Sequence, residues 1–241
     1  LEKLEDFKRE VVTKIRAVRD VKMKKILDAI RHNNIVFQKE KMIKKEGNCY
    51  SQFIIGIGVS TGGVQTLKKL IPAFPHDSPA VIIVQHMPQG FTSSFAAMLD
   101  KISSIRVKEA EEGDKIISGQ ALIVPGNYHL KIKKKIEQYY VVLNKDAKLN
   151  HQRPSVDVTF NSLAAVAGNR VIGVLLTGMG KDGARGMANI KKAGGYTIAQ
   201  DKETSFVYGM PKAAVNLSAV DEILPLDQIS YGITKLISGV N

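Results

Sequence analysis

The sequence predicts an α/β fold: a mostly parallel, doubly wound sheet with helices on both faces and an antiparallel hairpin extension. Three observations carry that expectation. Apolar runs of strand length, such as residues 53–59 and 171–176, alternate with stretches of helical periodicity. These runs are apolar throughout rather than at every second position, as in strands buried on both faces of a parallel sheet. Glycine-rich turns follow two of the runs directly, at residues 58–63 and 178–183.

Taken in order, residues 1–31 read as an amphipathic helix. Leu4, Phe7, Val11, Ile15 and Val18 line one helical face, and Lys and Arg cover the rest. The polar stretch that follows ends in Lys44-Lys45-Glu46-Gly47-Asn48 and reads as a linker. Residues 1–51 are therefore expected to form a basic helical connector, and residues 52–241 a compact domain. In that domain residues 53–58 read as a strand, 64–71 as a helix, 80–85 as a strand and 91–99 as a helix. Four short segments, 106–110, 121–124, 130–133 and 139–143, separated by Gly, Asn and charge, read as hairpins. Residues 155–167 are helical, 171–176 a buried strand, 184–193 a helix and 196–200 a strand. Residues 212–217 and 226–237 close the chain as helices.

Composition narrows the class. Of 241 residues, 44% are hydrophobic and 24% charged, an ordinary globular balance. No apolar stretch approaches the ~18–20 residues of a membrane span, and the first residues carry no apolar leader region. The sequence begins at Leu1 rather than Met, so it is expected to be a piece of a longer chain. The one cysteine, Cys49, excludes an intrachain disulfide and a Cys-rich zinc site, and points to a reducing, cytoplasmic setting. The net charge is +12, and residues 1–50 hold 14 Lys and Arg against eight Asp and Glu. Such a balance admits nucleic acid, anionic membrane or acidic protein partners, although a charged, solvated surface accounts for it equally simply. There is no Trp and no RNA-binding signature with its stacking aromatics, so nucleic acid is not expected.

The first site signal is Gly58-Val59-Ser60-Thr61-Gly62, a G-x-S-x-G segment between a strand and a helix. A serine there stands at a strand end, near backbone N–H groups able to hold an oxyanion. Two other readings stay open at this segment alone. It is equally a flexible turn, or a dinucleotide loop in which Thr61 replaces the third glycine and Asp77 supplies the ribose-binding acid. The second signal is His86 in Gln85-His86-Met87-Pro88, at the end of the second strand, where ligands gather in open α/β sheets. His32, His76, His129 and His151 end no buried strand.

The third signal is the loop Thr177-Gly178-Met179-Gly180-Lys181-Asp182-Gly183. Asp182 falls at a helix start, where a carboxylate either caps free N–H groups or orients the histidine. Hydroxyl, imidazole and carboxylate form a logical set. Serine is a weak nucleophile until a base takes its proton, imidazole is that base, and the carboxylate fixes the imidazole tautomer. The chain order Ser…His…Asp differs from the Ser…Asp…His of α/β-hydrolases.

Six segments in order resemble the catalytic domain of the bacterial chemotaxis protein-glutamate methylesterases, the CheB family. They are Gly-Val-Ser-Thr-Gly-Gly (58–63), Val-Gln-His-Met-Pro (84–88), Gly-Phe-Thr (90–92), Arg-Pro-Ser-Val-Asp-Val (153–158), Leu-Thr-Gly-Met-Gly-Lys-Asp-Gly (176–183) and Tyr-Gly-Met-Pro (208–211). The resemblance implies a catalytic triad of Ser60, His86 and Asp182. It implies an oxyanion pocket at Met179 and Gly180, with Thr61 beside the nucleophile. It implies hydrolysis of glutamate methyl esters on the cytoplasmic helical bundle of methyl-accepting chemoreceptors, and in some members deamidation of receptor glutamines. No cofactor, no metal and no membrane insertion are expected. A phosphorylatable receiver domain is expected in the full-length chain and is not found in these residues, which makes residues 1–31 the linker behind it. Arg153 and Asp157 are expected to be structural, with Pro154 in the first helical turn and Ser155 as its cap. Gln200 and Asp201 are expected to line the cleft, with Asp201 the alternative carboxylate should Asp182 only cap. A non-enzymatic scaffold binding acidic receptor helices is the rival reading.

Overall fold

The computed structural model describes residues 53–238; the connector expected over residues 1–51 lies outside them. Seven strands form one sheet in the order β3-β4-β2-β1-β7-β8-β9. They are β1 (Ile54–Val59), β2 (Ala80–Gln85), β3 (Arg106–Glu109), β4 (Gln120–Ile123), β7 (Val171–Leu175), β8 (Tyr196–Gln200) and β9 (Glu222–Leu224). Every neighbouring pair in this sheet is parallel. Two further strands, β5 (His129–Lys135) and β6 (Gln138–Asn144), form a separate antiparallel hairpin. The helices are α1 (Gly63–Leu70), α2 (Phe91–Asp100), α3 (Val156–Ala167), α4 (Ala184–Lys192), α5 (Met210–Asn216) and α6 (Leu226–Ser238).

The period of two along each strand divides the core. Ile54, Ala80, Ile82 and Val84 face one side, packed with α3, α4, α5 and the hairpin. Ile55, Ile57, Val59, Val81 and Ile83 face the other, packed with α1, α2 and α6. Both faces are covered, which is why the strands read as unbroken apolar runs.

The sequence expectation of a parallel sheet with helices on both faces therefore holds, with one correction. Segments 106–110 and 121–124 do not form a hairpin; β3 and β4 lie parallel at one edge of the main sheet. Both segments are strands, as expected, but their shortness and the charges of Arg106, Lys108 and Glu109 hide a parallel pairing in which Ala121, Leu122 and Ile123 are buried. Only β5 and β6 are antiparallel. The edge strand β9, three residues long, is too short to be legible in the sequence. Helix α5 starts at Met210, with Pro211 in its first turn, and so takes in the helix read over residues 212–217 up to Asn216.

The chain leaves β1 toward β2 and β4 in one direction and resumes through β7, β8 and β9 in the other. A reversal of this kind leaves a crevice beyond the carboxyl ends of the strands. Its walls depend on how closely α3 crosses β1. A Cβ on Gly56 would come within 2.7 Å of Leu163 Cδ1, and one on Gly58 within 2.3 Å of Val156 Cγ1. Glycine at these positions lets the start of α3 lie against the end of β1. Gly58→Ala is expected to destabilise the chain by about 1–3 kcal/mol, the usual cost of overpacking a tight core. A lower denaturant midpoint with an unchanged m-value checks this.

Candidate active site

Three loops leave the carboxyl ends of adjacent strands β2, β1 and β7. Val59 pairs with Gln85 across β1 and β2, so Ser60 and His86, one residue further on, face each other. The His86 amide donates to the Val59 carbonyl at 3.2 Å, and the Ser60 amide to the Thr177 carbonyl at 3.0 Å. Parallel register thus brings residues 60, 86 and 177 to one place, although 117 positions separate the first from the last.

Backbone freedom at the turn is required by contacts. Gly62 has a φ of 85°, and a Cβ there would come within 2.4 Å of Phe206 Cβ. A Cβ on Gly63 would come within 2.1 Å of Gln85 Oε1. Buried Gln85 then braces both site loops, donating from Nε2 to the carbonyls of Ser60 (3.1 Å) and His86 (3.2 Å). Thr177 ties the third loop to the first, its hydroxyl donating to the Thr61 carbonyl at 3.0 Å.

Asp182 is buried and joined to His86 through Oδ2 and Nε2 at 2.8 Å. It does not cap its own helix α4, whose N-cap is Gly183. It caps α3 instead: the Val156 amide donates to Oδ2 at 2.7 Å and the Asp157 amide to Oδ1 at 3.2 Å. The Ser155 hydroxyl donates to Oδ1 at 2.8 Å, and Asn150 Nδ2 at 3.3 Å. The expected cap on α4 is not made; the carboxylate instead holds the N–H groups of a helix about 25 residues upstream, and its bond to His86 is the contact that the orienting alternative requires. Ser155 does occupy the N-cap position of α3, but its hydroxyl makes no capping bond to that helix.

These donors govern the charge. Burial pushes the Asp182 carboxyl upward, but the hydrogen bond and charge of His86, the Ser155 hydroxyl and the Val156 amide together hold it below the usual carboxylate range. Burial raises neighbouring Asp157, opposed by the Gly186 amide at 2.8 Å and reinforced by the charge of Asp182. Asp157 and Arg153 make bonds of the kind a structural role requires: the Asp157 carboxylate accepts from the Gly186 amide, and the Arg153 guanidinium holds Asn127 and the carbonyls of Lys145 and Asp146.

An ionised Asp182 can only accept, so the Nε2 that meets it carries a ring proton, and a neutral His86 ring then has its lone pair on Nδ1. Among the described residues no hydrogen bond joins the Ser60 hydroxyl to His86. Such pairs are commonly loose without substrate and tighten in the reacting complex. Gly178 lies against Ser60, since a Cβ there would come within 2.9 Å of the Ser60 Cβ. The N–H groups of Thr61 and Met179 donate to no backbone acceptor among the described residues, which leaves them available to a developing oxyanion. Gly180, at a φ of 90°, has open space where a Cβ would stand.

The alternatives fall away on position. Asp77 precedes β2 and so lies at the opposite end of the sheet from the Gly58–Gly63 turn, where it cannot reach a ribose held there. Asp201 bonds Thr204 and not His86. Gln200 is a buried brace, its Oε1 accepting from the Thr177 amide at 2.8 Å, rather than a cleft residue. Among the described residues no three His, Cys, Asp or Glu side chains gather as a metal site, and no helix is long and apolar enough to cross a membrane. The sequence places Gln85 beside His86, offers Ser155 only as a helix cap, sets His129 aside and gives no sign of Asn150, yet all four make hydrogen bonds around the site to residues distant in sequence.

An open parallel α/β sheet with a serine, a histidine and a buried aspartate at its central strand ends is an arrangement of the kind serine hydrolases use. The chain belongs to the CheB methylesterase family, whose profile matches residues 55–233. It is 51% identical over 182 residues to protein-glutamate methylesterase/protein-glutamine glutaminase 2 of Pseudomonas aeruginosa, covering 76% of this chain and 52% of that protein. It is 42% identical over 235 residues to the protein-glutamate methylesterase/protein-glutamine glutaminase of Pyrococcus horikoshii, covering 97% of this chain and 63% of that protein. The chain thus spans between half and two thirds of the length of these relatives. The crystal structure of the Thermotoga maritima CheB methylesterase catalytic domain superposes with a TM-score of 0.76 at 42% identity, covering 77% of this chain and 99% of that one.

The depressed Asp182 has a measurable consequence. A carboxylate held low in the folded chain stabilises it above the unfolded value of about 3.9, and that contribution is lost as pH falls through the folded value. The stability gap between wild type and Asp182→Asn is therefore expected to narrow progressively as pH falls below the unfolded carboxylate value of about 3.9. Denaturant melts from neutral to acid pH check this; a gap as wide at the acid end as at neutral pH would refute it.

Proposed function

We propose that this chain hydrolyses glutamate γ-methyl esters on chemoreceptors through an acyl-enzyme on Ser60. The observation that carries the reading is the 2.8 Å bond from His86 Nε2 to the buried Asp182 carboxylate, formed beside Ser60 at adjoining strand ends. Membership of the CheB methylesterase family and the printed names of the relatives support the substrate class.

The Ser60 Oγ attacks the ester carbonyl while His86 Nδ1 takes its proton. Asp182 holds the ring and stabilises the imidazolium. The oxyanion lies on the N–H groups of Thr61 and Met179, with Gly180 leaving room for the substrate. Collapse breaks the bond to methoxide, which leaves as methanol with the proton from His86. Water, deprotonated by His86, then attacks the acyl carbon and releases glutamate and free Ser60. With a glutamine side chain the same steps expel ammonia, in line with the glutaminase half of the relatives' names. The partner on this reading is the cytoplasmic helical bundle of a methyl-accepting chemoreceptor, and the setting is the cytoplasm.

Methanol release from methylated receptor tests the reading. Wild type is expected to release it, and Ser60→Ala to lose several orders of magnitude, since little catalysis survives loss of a triad nucleophile. A folded wild type that releases no methanol, yet binds receptor as Ser60→Ala also does, would favour the scaffold instead. The +12 charge is expected to aid docking on acidic receptor helices, so KM should rise from low to physiological ionic strength. Turnover indifferent to salt would remove charge from the account.

A further inference from the structure

We infer that the buried pair His129–Ser155 is a positioning relay for Asp182, so that the reactivity of Ser60 depends on a histidine that never touches substrate. The inference rests on the proposed roles of Ser60, His86 and Asp182.

His129 opens the hairpin strand β5 and is fully buried. Both ring nitrogens are engaged. Nδ1 accepts from the Ser155 amide at 3.2 Å, and Nε2 faces the Ala147 carbonyl at 3.2 Å. An amide N–H only donates and a carbonyl only accepts. The ring is therefore neutral, with its proton on Nε2. Burial and the neighbouring Arg153 cation push the ring pKa down, against the Ala147 carbonyl and the carboxylates of Asp146 and Asp182.

Ser155 is fully buried as well. A serine at an N-cap ordinarily turns its oxygen to the N–H groups of its own helix. Here Asp182 takes those N–H groups, and the Ser155 hydroxyl donates to Asp182 Oδ1 instead. Two oxygens of one carboxylate are thus held apart: Oδ1 by Ser155, the Asp157 amide and Asn150, and Oδ2 by His86 and the Val156 amide. Ser155 keeps the carboxylate from rotating, and His129 keeps Ser155 in place by accepting its amide. The hairpin is fastened to the same helix further along. The Thr159 hydroxyl donates to the Leu130 carbonyl at 2.9 Å, and the Ile132 amide donates to the Ser162 hydroxyl at 2.8 Å. A hairpin that contributes no residue to the chemistry is in this way bonded to Ser155 and to the helix whose N–H groups hold Asp182.

The test uses the intact chain and two readouts: steady-state ester hydrolysis, and the rate at which a fluorophosphonate probe modifies Ser60, located by peptide mass. Ser155→Ala is expected to lower kcat and the modification rate by about 10- to 100-fold, the usual effect of losing a hydrogen bond to a charged group, with KM within about twofold. His129→Leu is expected to move both rates in the same direction. In an Asp182→Ala background, Ser155→Ala is expected to cost less than about threefold, because its target is already gone. A Ser155→Ala chain that reacts at the wild-type rate overturns the relay while leaving the hydrolase reading intact. An equal loss from Ser155→Ala with and without Asp182 overturns it too, since the role is then packing alone. A folded wild type whose Ser60 resists the probe and releases no methanol brings down the parent reading and the relay together.

Discussion

A single buried carboxylate at the N-terminus of a helix organises this molecule. Asp182 sits where the first N–H groups of α3 have no partners within the helix. A charge removed from water is costly unless it is paired and hydrogen-bonded. Here the helix end, Ser155, Asn150 and His86 supply donors on both oxygens. Remove any of them and the remaining groups are left with desolvated polar atoms. That mutual need fixes α3 against β1, the loop after β7 against α3, and the histidine ring against the loop.

The parallel sheet supplies the rest. Strands running in one direction present their carboxyl ends on one rim, so side chains far apart in sequence become neighbours once register is set. Glycines 56 and 58 decide how close the helix layer comes, and the distance they allow is the distance at which the Val156 amide meets the carboxylate. Packing and chemistry are here the same constraint.

Much of this was legible beforehand. The apolar runs gave the buried strands, and the turns after β1 and β7 gave Ser60 and Asp182 as positions where backbone and ligand meet. His86 followed from its place at a strand end. What stayed hidden depends on tertiary partners. A carboxylate before a helix reads as the cap of that helix; that Asp182 caps α3 follows only from the crossing of α3 over β1. His129 looked like any histidine beside a hairpin, because its partner is an amide 26 positions away. Segments 106–110 and 121–124 read as strands, but short strands close in sequence look like a hairpin, and their parallel pairing is decided by neighbours.

The contacts that build the crevice span most of the described chain: residue 60 meets residue 177, residue 86 meets 182, and residue 129 meets 155. Long loops must close before any of these pairs forms, which sets a topology of this kind among the slower folders. A nascent or half-folded chain carries Ser60 without a base and Asp182 without a helix to receive it. Its serine is then an ordinary alcohol. On the proposed mechanism Ser60 gains its base only once the loops after β1, β2 and β7 have met, so activity regained in a refolding chain reports that closure.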